Sequence, residues 1–265
     1  MKTLIFVFAN LISITCWAQA DDNRIIYIPV VFHIVYSNES ENIRTDSIMA
    51  ELKNLRNDFM KSNADTIKVD PFYKNSLGNP KVNFYLADTI IGGGTEKGII
   101  RIAANNSKTN LYKTSKIINP RKYLNVYIGN ITFRGRHTDG VTPVPYDTQY
   151  HADDAVHLRY LWVGSHYRLL THETGHWLGL LHVFQSGCSD GDGINDTPAQ
   201  RGATDGACDL CPPKTRDQSC SDQPSNYNNF MDYSGCRNMF TKMQAIAIRT
   251  SIIKYRPAIW KSSLL

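Results

Sequence analysis

The stretch His172-Glu173-Thr174-Gly175-His176-Trp177-Leu178-Gly179-Leu180-Leu181-His182 holds three of the chain's eight histidines. On an α-helix, residues four apart stand one turn apart on the same face, so His172 and His176 can aim both imidazoles at one point. Glu173 follows the first of them and projects toward the same opening. Gly179 lets the chain leave the helix with positive φ, and His182 can then return from another direction. Three neutral imidazoles with a fourth position open describe a catalytic zinc site, because a closed structural site takes four protein ligands. Trp177, Leu178, Leu180 and Leu181 supply the apolar stripe that seats such a helix on a core.

Upstream, the pattern is mixed α/β. Ile25 to Tyr36 is a nearly continuous apolar, β-branched run, suited to a buried strand. Ile48, Leu52, Leu55 and Phe59 recur on one helical face. Val82, Phe84 and Leu86 alternate as on a strand. Gly92-Gly93-Gly94 breaks the chain before a short strand from Ile99 to Ile102, and Tyr123 to Ile128 and Val156 to Val163 are two further strand candidates. Helix and strands sharing one core predict an α/β (α+β) sandwich.

Downstream, residues 183 to 238 carry Cys188, Cys208, Cys211, Cys220 and Cys236, are rich in Asp, Gly and Pro, and lack apolar periodicity. A loop this long inside a compact domain is either functional or tied down. Disulfides and a cation are the natural ties. Thr241-x-x-Gln244 is a capping box opening a helix that runs to Pro257, with Ile246, Arg249 and Ile253 on neighbouring turns and Trp260 beside them.

The chain has 265 residues, a formal charge of +5 and 42% hydrophobic residues, which is a globular composition. Its basic residues form no cluster, so there is no nucleic-acid footprint. Lys2, the apolar run from Leu4 to Trp17 and Ala18-Gln19-Ala20 form the basic, apolar and small-x-small parts of a secretory signal peptide, residues 1–20. The run is too short for an ordinary membrane span of roughly 20 residues, and no later segment is apolar enough for one. The expected product is secreted, and Cys16 leaves with the signal. Five cysteines in an oxidising compartment predict disulfides with one thiol left over. Cys208-x-x-Cys211 lacks a second ligand pair for a zinc knuckle.

The zinc stretch resembles the extended signature of the metzincin metallopeptidases, and further segments are similar to their pappalysin family. These are His182-Val183-Phe184, Gly191-Asp192-Gly193-Ile194-Asn195-Asp196-Thr197-Pro198, Asn229-Phe230-Met231-Asp232-Tyr233-Ser234 and Phe240-Thr241 with Gln244. Ile28-Pro29-Val30-Val31-Phe32-His33 and Tyr123-Leu124-Asn125-Val126-Tyr127 also match, so the likeness covers nearly all of residues 25 to 250.

That resemblance implies a two-lobed catalytic domain over 21–265. Residues 21–182 would form an upper lobe with a twisted sheet, a backing helix and the zinc helix. Residues 183–265 would form an irregular, disulfide-bonded lower lobe with the C-terminal helix. Zinc would be held by His172, His176 and His182. Glu173 would be general base and then acid, Met231 the floor beneath the histidines, and Tyr233 a donor to the oxyanion. Asp192, the main-chain carbonyl of Asn195 and Thr197 match a calcium site. Spacing alone reads them as ordinary Asx turns.

The implied disulfides are Cys188 with Cys220, and Cys236 with either Cys208 or Cys211. A protein or peptide substrate would lie extended between the lobes, pairing with an edge strand sought at Val141 to Tyr150. The pocket for the residue after the scissile bond would be walled by the zinc helix and the segment after Met231. Here that segment is Tyr233-Ser234-Gly235-Cys236-Arg237, with no acid after Asp232.

Little chain separates Ala20 from the first strand, so no latency propeptide is expected. His33, His137, His151, His157 and His166 lack ligand spacing and are expected to be structural or exposed. Asn38, Asn105, Asn130 and Asn195 head glycosylation sequons. The rival reading is a zinc-stabilised binding or adhesion protein on the same scaffold, which would not need Glu173. Oligomeric state is not legible.

Overall fold

Ile26–Tyr36 forms β1 at the centre of a six-stranded sheet. Its continuous apolar run is what a strand covered on both faces requires. Ile26, Ile28, Val30, Phe32 and Ile34 point into the main core, and Val31 and Val35 enter smaller clusters on the other face. The computed structural model of the chain describes residues 23–89, 96–104, 111–146, 154–164, 167–204, 211–212 and 218–263. The expected signal peptide with Cys16, Gly92-Gly93-Gly94, Asn105, His151, His166 and Cys208 lie outside them.

Two short parallel strands share one edge of β1. β2 (Val82–Leu86) pairs with its first half and β3 (Ile99–Ala103) with its second. On the other edge lies parallel β4 (Leu124–Gly129), then parallel β8 (Val156–Arg159). Between them in sequence, β5 (Thr132–Phe133) and β6 (Arg136–His137) make a separate hairpin, and β7 (Gly140–Val141) pairs antiparallel with β8 at the sheet's edge.

Two strand expectations are corrected. The strand beginning at Val156 stops at Arg159, where its partner β4 has ended at Gly129, and Tyr160–Trp162 turn as a 3-10 helix. The edge strand is Gly140–Val141; residues 142–146 are not extended in a ladder, and 147–150 lie outside the described residues.

α1 (Thr45–Phe59) buries Ile48, Leu52, Leu55 and Phe59, the face that the spacing predicts. α2 (Leu111–Thr114) is a single turn. α3 (Leu169–Trp177) packs in the main core with Leu170 and Trp177. Its entry is fixed by α1: buried Asp58 accepts from Thr171 Oγ1 at 2.6 Å and pairs with Arg168 at 3.0 Å. Arg168 is itself in the left-handed region, with φ 53°.

α4 (Lys242–Tyr255) opens on the predicted capping box of Thr241 and Gln244. Pro257 starts a separate helix, α5 (Pro257–Ser262). The deeply buried apolar face of α4 is Ala245, Ile248 and Ile252, whereas Ile246 is partly exposed. Isoleucines occur around most of this helix, so its spacing fits more than one face, and the main core that α4 shares with α5 selects one. Trp260 joins that core, with the Arg249 guanidinium 5.9 Å above its ring centroid.

From Val183 to Thr241 the described residues form only isolated bridges, Gln200↔Ser219, Asn229↔Met239 and the Thr241 pairing with Leu77. Two disulfides tie this stretch, Cys188–Cys220 as the resemblance implies and Cys211–Cys236, which resolves the ambiguous partner in favour of Cys211.

Candidate metal centre and cleft

α3 carries His172, Glu173 and His176 on one buried turn and ends at Trp177. Gly179, with φ 92°, then turns the chain away, and a β-carbon there would press on Ser251 Oγ at 2.9 Å. The turn brings His182 back toward the other two imidazoles, as the sequence predicts. One ligand atom from each of His172, His176 and His182 lies within 4.8 Å of the others, the one such cluster among the described residues. Nε2 of His176 and of His182 are 3.1 Å apart. Two nitrogens on a tetrahedral zinc at ~2.05 Å would be about 3.3 Å apart.

Each ring is held by its far nitrogen. His172 Nδ1 donates to Phe230 O at 2.7 Å and His176 Nδ1 to Leu180 O at 2.8 Å. A carbonyl can only accept, so Nδ1 carries the proton in both rings and Nε2 presents its lone pair inward. His182 Nδ1 stands 3.3 Å from Gln185 Oε1, and Phe184 stacks on the ring at 4.8 Å. Burial is the main cause that lowers His172 well below the usual range, His176 to about 3 and His182 to about 4. All three are therefore neutral at pH 7, the protonation state in which an imidazole ligates.

Met231 is fully buried under this turn. A β-carbon at Gly175 would collide with its sulfur, so the thioether lies flat against the helix backbone. The stretch containing Met231 also supplies Phe230 O to His172 and ends in Tyr233, whose Oη is 3.1 Å from His182 Nε2. The phenol thus reaches the ligand atoms while Tyr233 as a whole is 48% exposed and lines the cleft. Burial of the phenol, reinforced by the Glu173 carboxylate, raises its pKa, which keeps the hydroxyl a donor at neutral pH.

Glu173 is 5% exposed. Desolvation pushes it up to about 7, against the opposing influences of Thr142 and the Arg237 charge. Gly140 of the edge strand lies against it, and any β-carbon there would strike the carboxylate. No local pattern marks Gly140 for this role, because Asp139-Gly140 reads only as a turn. Arg237 is another neighbour without a local signal. It is buried, and it donates from Nη1 to Asp232 O at 3.2 Å and from Nη2 to Tyr167 O.

A cleft of about 630 Å³ opens beside these groups, reaching from Glu173, His176 and Tyr233 to Val141 and the β5–β6 hairpin at Phe133 and Arg134. A second cavity of about 340 Å³ lies on the His172 side.

The acidic turn stands apart from the three histidines in sequence. Asp192 Oδ1 accepts from Ile194 N at 3.0 Å and lies 2.5 Å from Thr197 Oγ1, so the Asx turn read from spacing is present. Its Oδ2 is buried with no hydrogen-bond partner among the described residues, and burial raises the carboxyl to about 6. The Asn195 side chain is exposed. Asp196 caps α4 instead, accepting from Thr241 Oγ1 and Met243 N. His33 and His157 lie on either side of Tyr127 in a stack, with ring centroids 4.2 and 5.1 Å from it; His33 bonds Ser115 and Asn125, and His157 also lines the larger cleft. His137 is exposed.

Among the described residues no helix is long and apolar enough to cross a membrane. The family model described as Pregnancy-associated plasma protein-A matches residues 107–252. An extracellular metalloprotease of Colletotrichum graminicola is 44% identical over 94 residues, 34% of this chain and 31% of that protein. One from Verticillium alfalfae is 36% identical over 134 residues, 49% of this chain and 46% of its own length. The chain thus spans less than half the length of these curated relatives, 31% of the one and 46% of the other. Among solved structures, Tannerella forsythia mature mirolysin in complex with a cleaved peptide superposes with a TM-score of 0.74 at 28% identity, covering 90% of this chain and 99% of that one. A promirolysin mutant from the same organism gives a TM-score of 0.79 at 26% identity, covering 99% and 94%. With more than half its length matched, on a mixed sheet carrying three convergent histidines, the chain belongs to the pappalysin family of metzincins.

Proposed function

We propose that the chain is a secreted zinc endopeptidase. The observation that carries this reading is the convergence of three neutral imidazoles with a buried carboxylate on the same helical turn and a phenol at the ligand atoms. Inward Nε2 atoms on tautomers fixed by carbonyls suit zinc, and a bound zinc supplies an acidified water and polarises a carbonyl.

The protein's own groups have separate tasks. Glu173, raised toward neutrality by burial, accepts a proton from the attacking water and hands it to the leaving amine, the service a general base gives when its pKa lies near the working pH. Tyr233 remains protonated and donates to the oxygen that gains charge, an interaction typically of a few kcal/mol. Met231 keeps the histidine turn seated by filling the space that Gly175 leaves open. β7 presents an edge beside Glu173, where an extended peptide can add as a further strand.

Calcium is assigned to the Asp192 turn, with Asp192, the Asn195 carbonyl and Thr197 as oxygen donors. The buried, unpartnered Asp192 Oδ2 supports an oxygen-seeking cation there.

Glu173→Gln tests the mechanism. We expect peptide hydrolysis by the zinc-loaded protein to fall by about 10²–10⁴-fold while zinc stoichiometry stays near one. Undiminished hydrolysis would remove Glu173 from the mechanism. An unmodified protein that cuts nothing in a diverse peptide library would favour a binding protein on this scaffold.

A further inference from the structure

Strand register lines up His33, Tyr127, His157 and Val141 in one row across β1, β4, β8 and β7. Cross-strand partners share a face, and this row lies on the face away from the main core. The three rings stack, and Val141 packs on the small cluster that holds Tyr127, Leu111 and Ile131. Gly140, one residue earlier, faces the other way, because a β-carbon there would strike the Glu173 carboxylate. Among the described residues β7 is the last strand on this side, so the row ends at Val141, on the wall of the cleft of about 630 Å³.

We propose that the substrate continues this row. The peptide side chain opposite Val141, on the N-terminal side of the scissile bond, enters an apolar subsite made by Leu111, Ile131, Val141 and Phe133 and is itself large and apolar, phenylalanine or leucine. This inference rests on the peptidase reading and deepens it.

The direction follows from pairing. Antiparallel addition is the more stable form and makes the peptide run against β7. The residue beside Val141 therefore precedes the one beside Gly140, and Gly140 is the position that touches Glu173. Side chains alternate along a strand. The residues flanking the one opposite Val141 point away from this subsite, so a preference should appear at alternate positions only.

The chemistry follows from the walls. Leu111 and Ile131 are 2% and 4% exposed, anchored in their own cluster while they line the cleft. Phe133 is 41% exposed on the two-residue β5, and the Arg134 guanidinium stands 5.2 Å from its ring centroid. A large apolar side chain would cover that ring and remove apolar surface from water on both partners. Arg134 and Glu173 are the charged groups on the cleft wall, and Glu173 is at the metal end. A lysine would meet Arg134 as a like charge. A glutamate would meet Arg134 favourably but lose its water against aliphatic side chains.

The test uses the zinc-loaded chain and one cleavable peptide varied singly at the three positions before the scissile bond, with Ala, Phe, Glu or Lys. We expect kcat/KM to rise about tenfold from Ala to Phe at positions of one parity and to stay flat at the position of the other parity. Lys should be the poorest. Phe133→Ser should bring the Phe-to-Ala ratio toward unity, and Phe133→Leu should keep most of it, which separates loss of apolar cover from disturbance of the hairpin.

A second readout does not need turnover. Anisotropy with the same labelled peptides on Glu173→Gln should give the same order of affinity. If peptides are cut with no preference for Phe, with an equal preference at all three positions, or with Glu above Phe, the subsite is wrong while the peptidase reading stands. If nothing is cut and the unmodified protein still binds Phe over Ala in a way that Phe133→Ser removes, the subsite stands and the peptidase reading falls. No cleavage and no order of affinity would overturn both.

Discussion

The sheet and the stretch from Val183 to Thr241 solve the same problem with different materials. In the sheet, side chains such as Phe32, Val126 and Val156 are buried with little or no exposure, and each strand satisfies its main chain on its neighbour. In the irregular stretch the buried residues include Asn226, Asn228, Asn229, Asp232 and Ser234. Their side chains stand in for a ladder: Asn228 Nδ2 donates to Cys236 O, Ser234 Oγ bonds Tyr227 O, and Asn229 exchanges two amide bonds with Gln244. The candidate centre sits on the seam. His172 and His176 come from a helix packed on the sheet core, and Met231 and Tyr233 from the irregular side. Apolar layers are built to hold a helix in one place, while polar loops can put a phenol, a sulfur and a guanidinium around it.

If that contrast is right, the two regions should fail differently. Phe32→Ala removes a fully buried ring from the sheet and should cost about 3–5 kcal/mol. Chemical denaturation should show one earlier transition, with metal affinity and the irregular stretch lost together with the sheet. A variant that lost only local structure would break the comparison.

Replacing Cys188 and Cys220 together by Ser comes next. That bridge closes a 32-residue separation, so chain entropy predicts a loss of about 3–4 kcal/mol. Here hydrogen exchange should open residues near 188–222 first, while the amides of β1 and β4 keep their protection. Equal loss of protection in both regions would show that the irregular stretch is no separate problem.

Calcium sharpens the same point on a smaller scale. With zinc held constant, removing calcium from a level of 100 times its Kd should cost about 2.7 kcal/mol. The loss of protection should centre on Asp192 to Thr197. Unchanged thermal stability and exchange would take calcium out of this turn and leave only the Asx geometry.

The same division decides what could be read from the chain. Sheet and helix faces are periodic, so β1, α1 and the His172–His176 spacing were legible, and Gly179 announced the turn that returns His182. Met231 and Tyr233 were legible only through resemblance, because nothing local says that a methionine lies under a glycine 56 positions earlier in the chain. Arg237, Gly140 and the Asn229–Gln244 pair carry no periodic signal either. Their roles come from contacts between distant segments, as does the end of β8, which stops where β4 no longer offers a partner.

A pH titration tests a buried charged contact that fixes the start of α3 against α1. Asp58 has a fully buried side chain and pairs with Arg168 at 3.0 Å, yet desolvation outweighs that cation and holds its carboxyl up near 7. Glu51, on the same helix, is likewise raised to about 7, chiefly by burial, and accepts from Gly164 N at 2.8 Å. A carboxyl raised on folding binds its proton more tightly in the native state. Its favourable contribution is therefore complete below the unfolded pKa near 4 and declines as pH rises through about 7. Each such group adds a slope of at most about 1.4 kcal/mol per pH unit across that window. Asp58→Asn cannot titrate, so it should flatten stability between about pH 4 and 7 while Thr171 retains an acceptor at its amide oxygen. An unchanged slope in that variant, with the Glu51→Gln variant equally unaffected, would mean that Arg168 keeps Asp58 ionised throughout. The seat of α3 would then be an ordinary ion pair, and the sheet region would owe more to charge than its apolar core suggests.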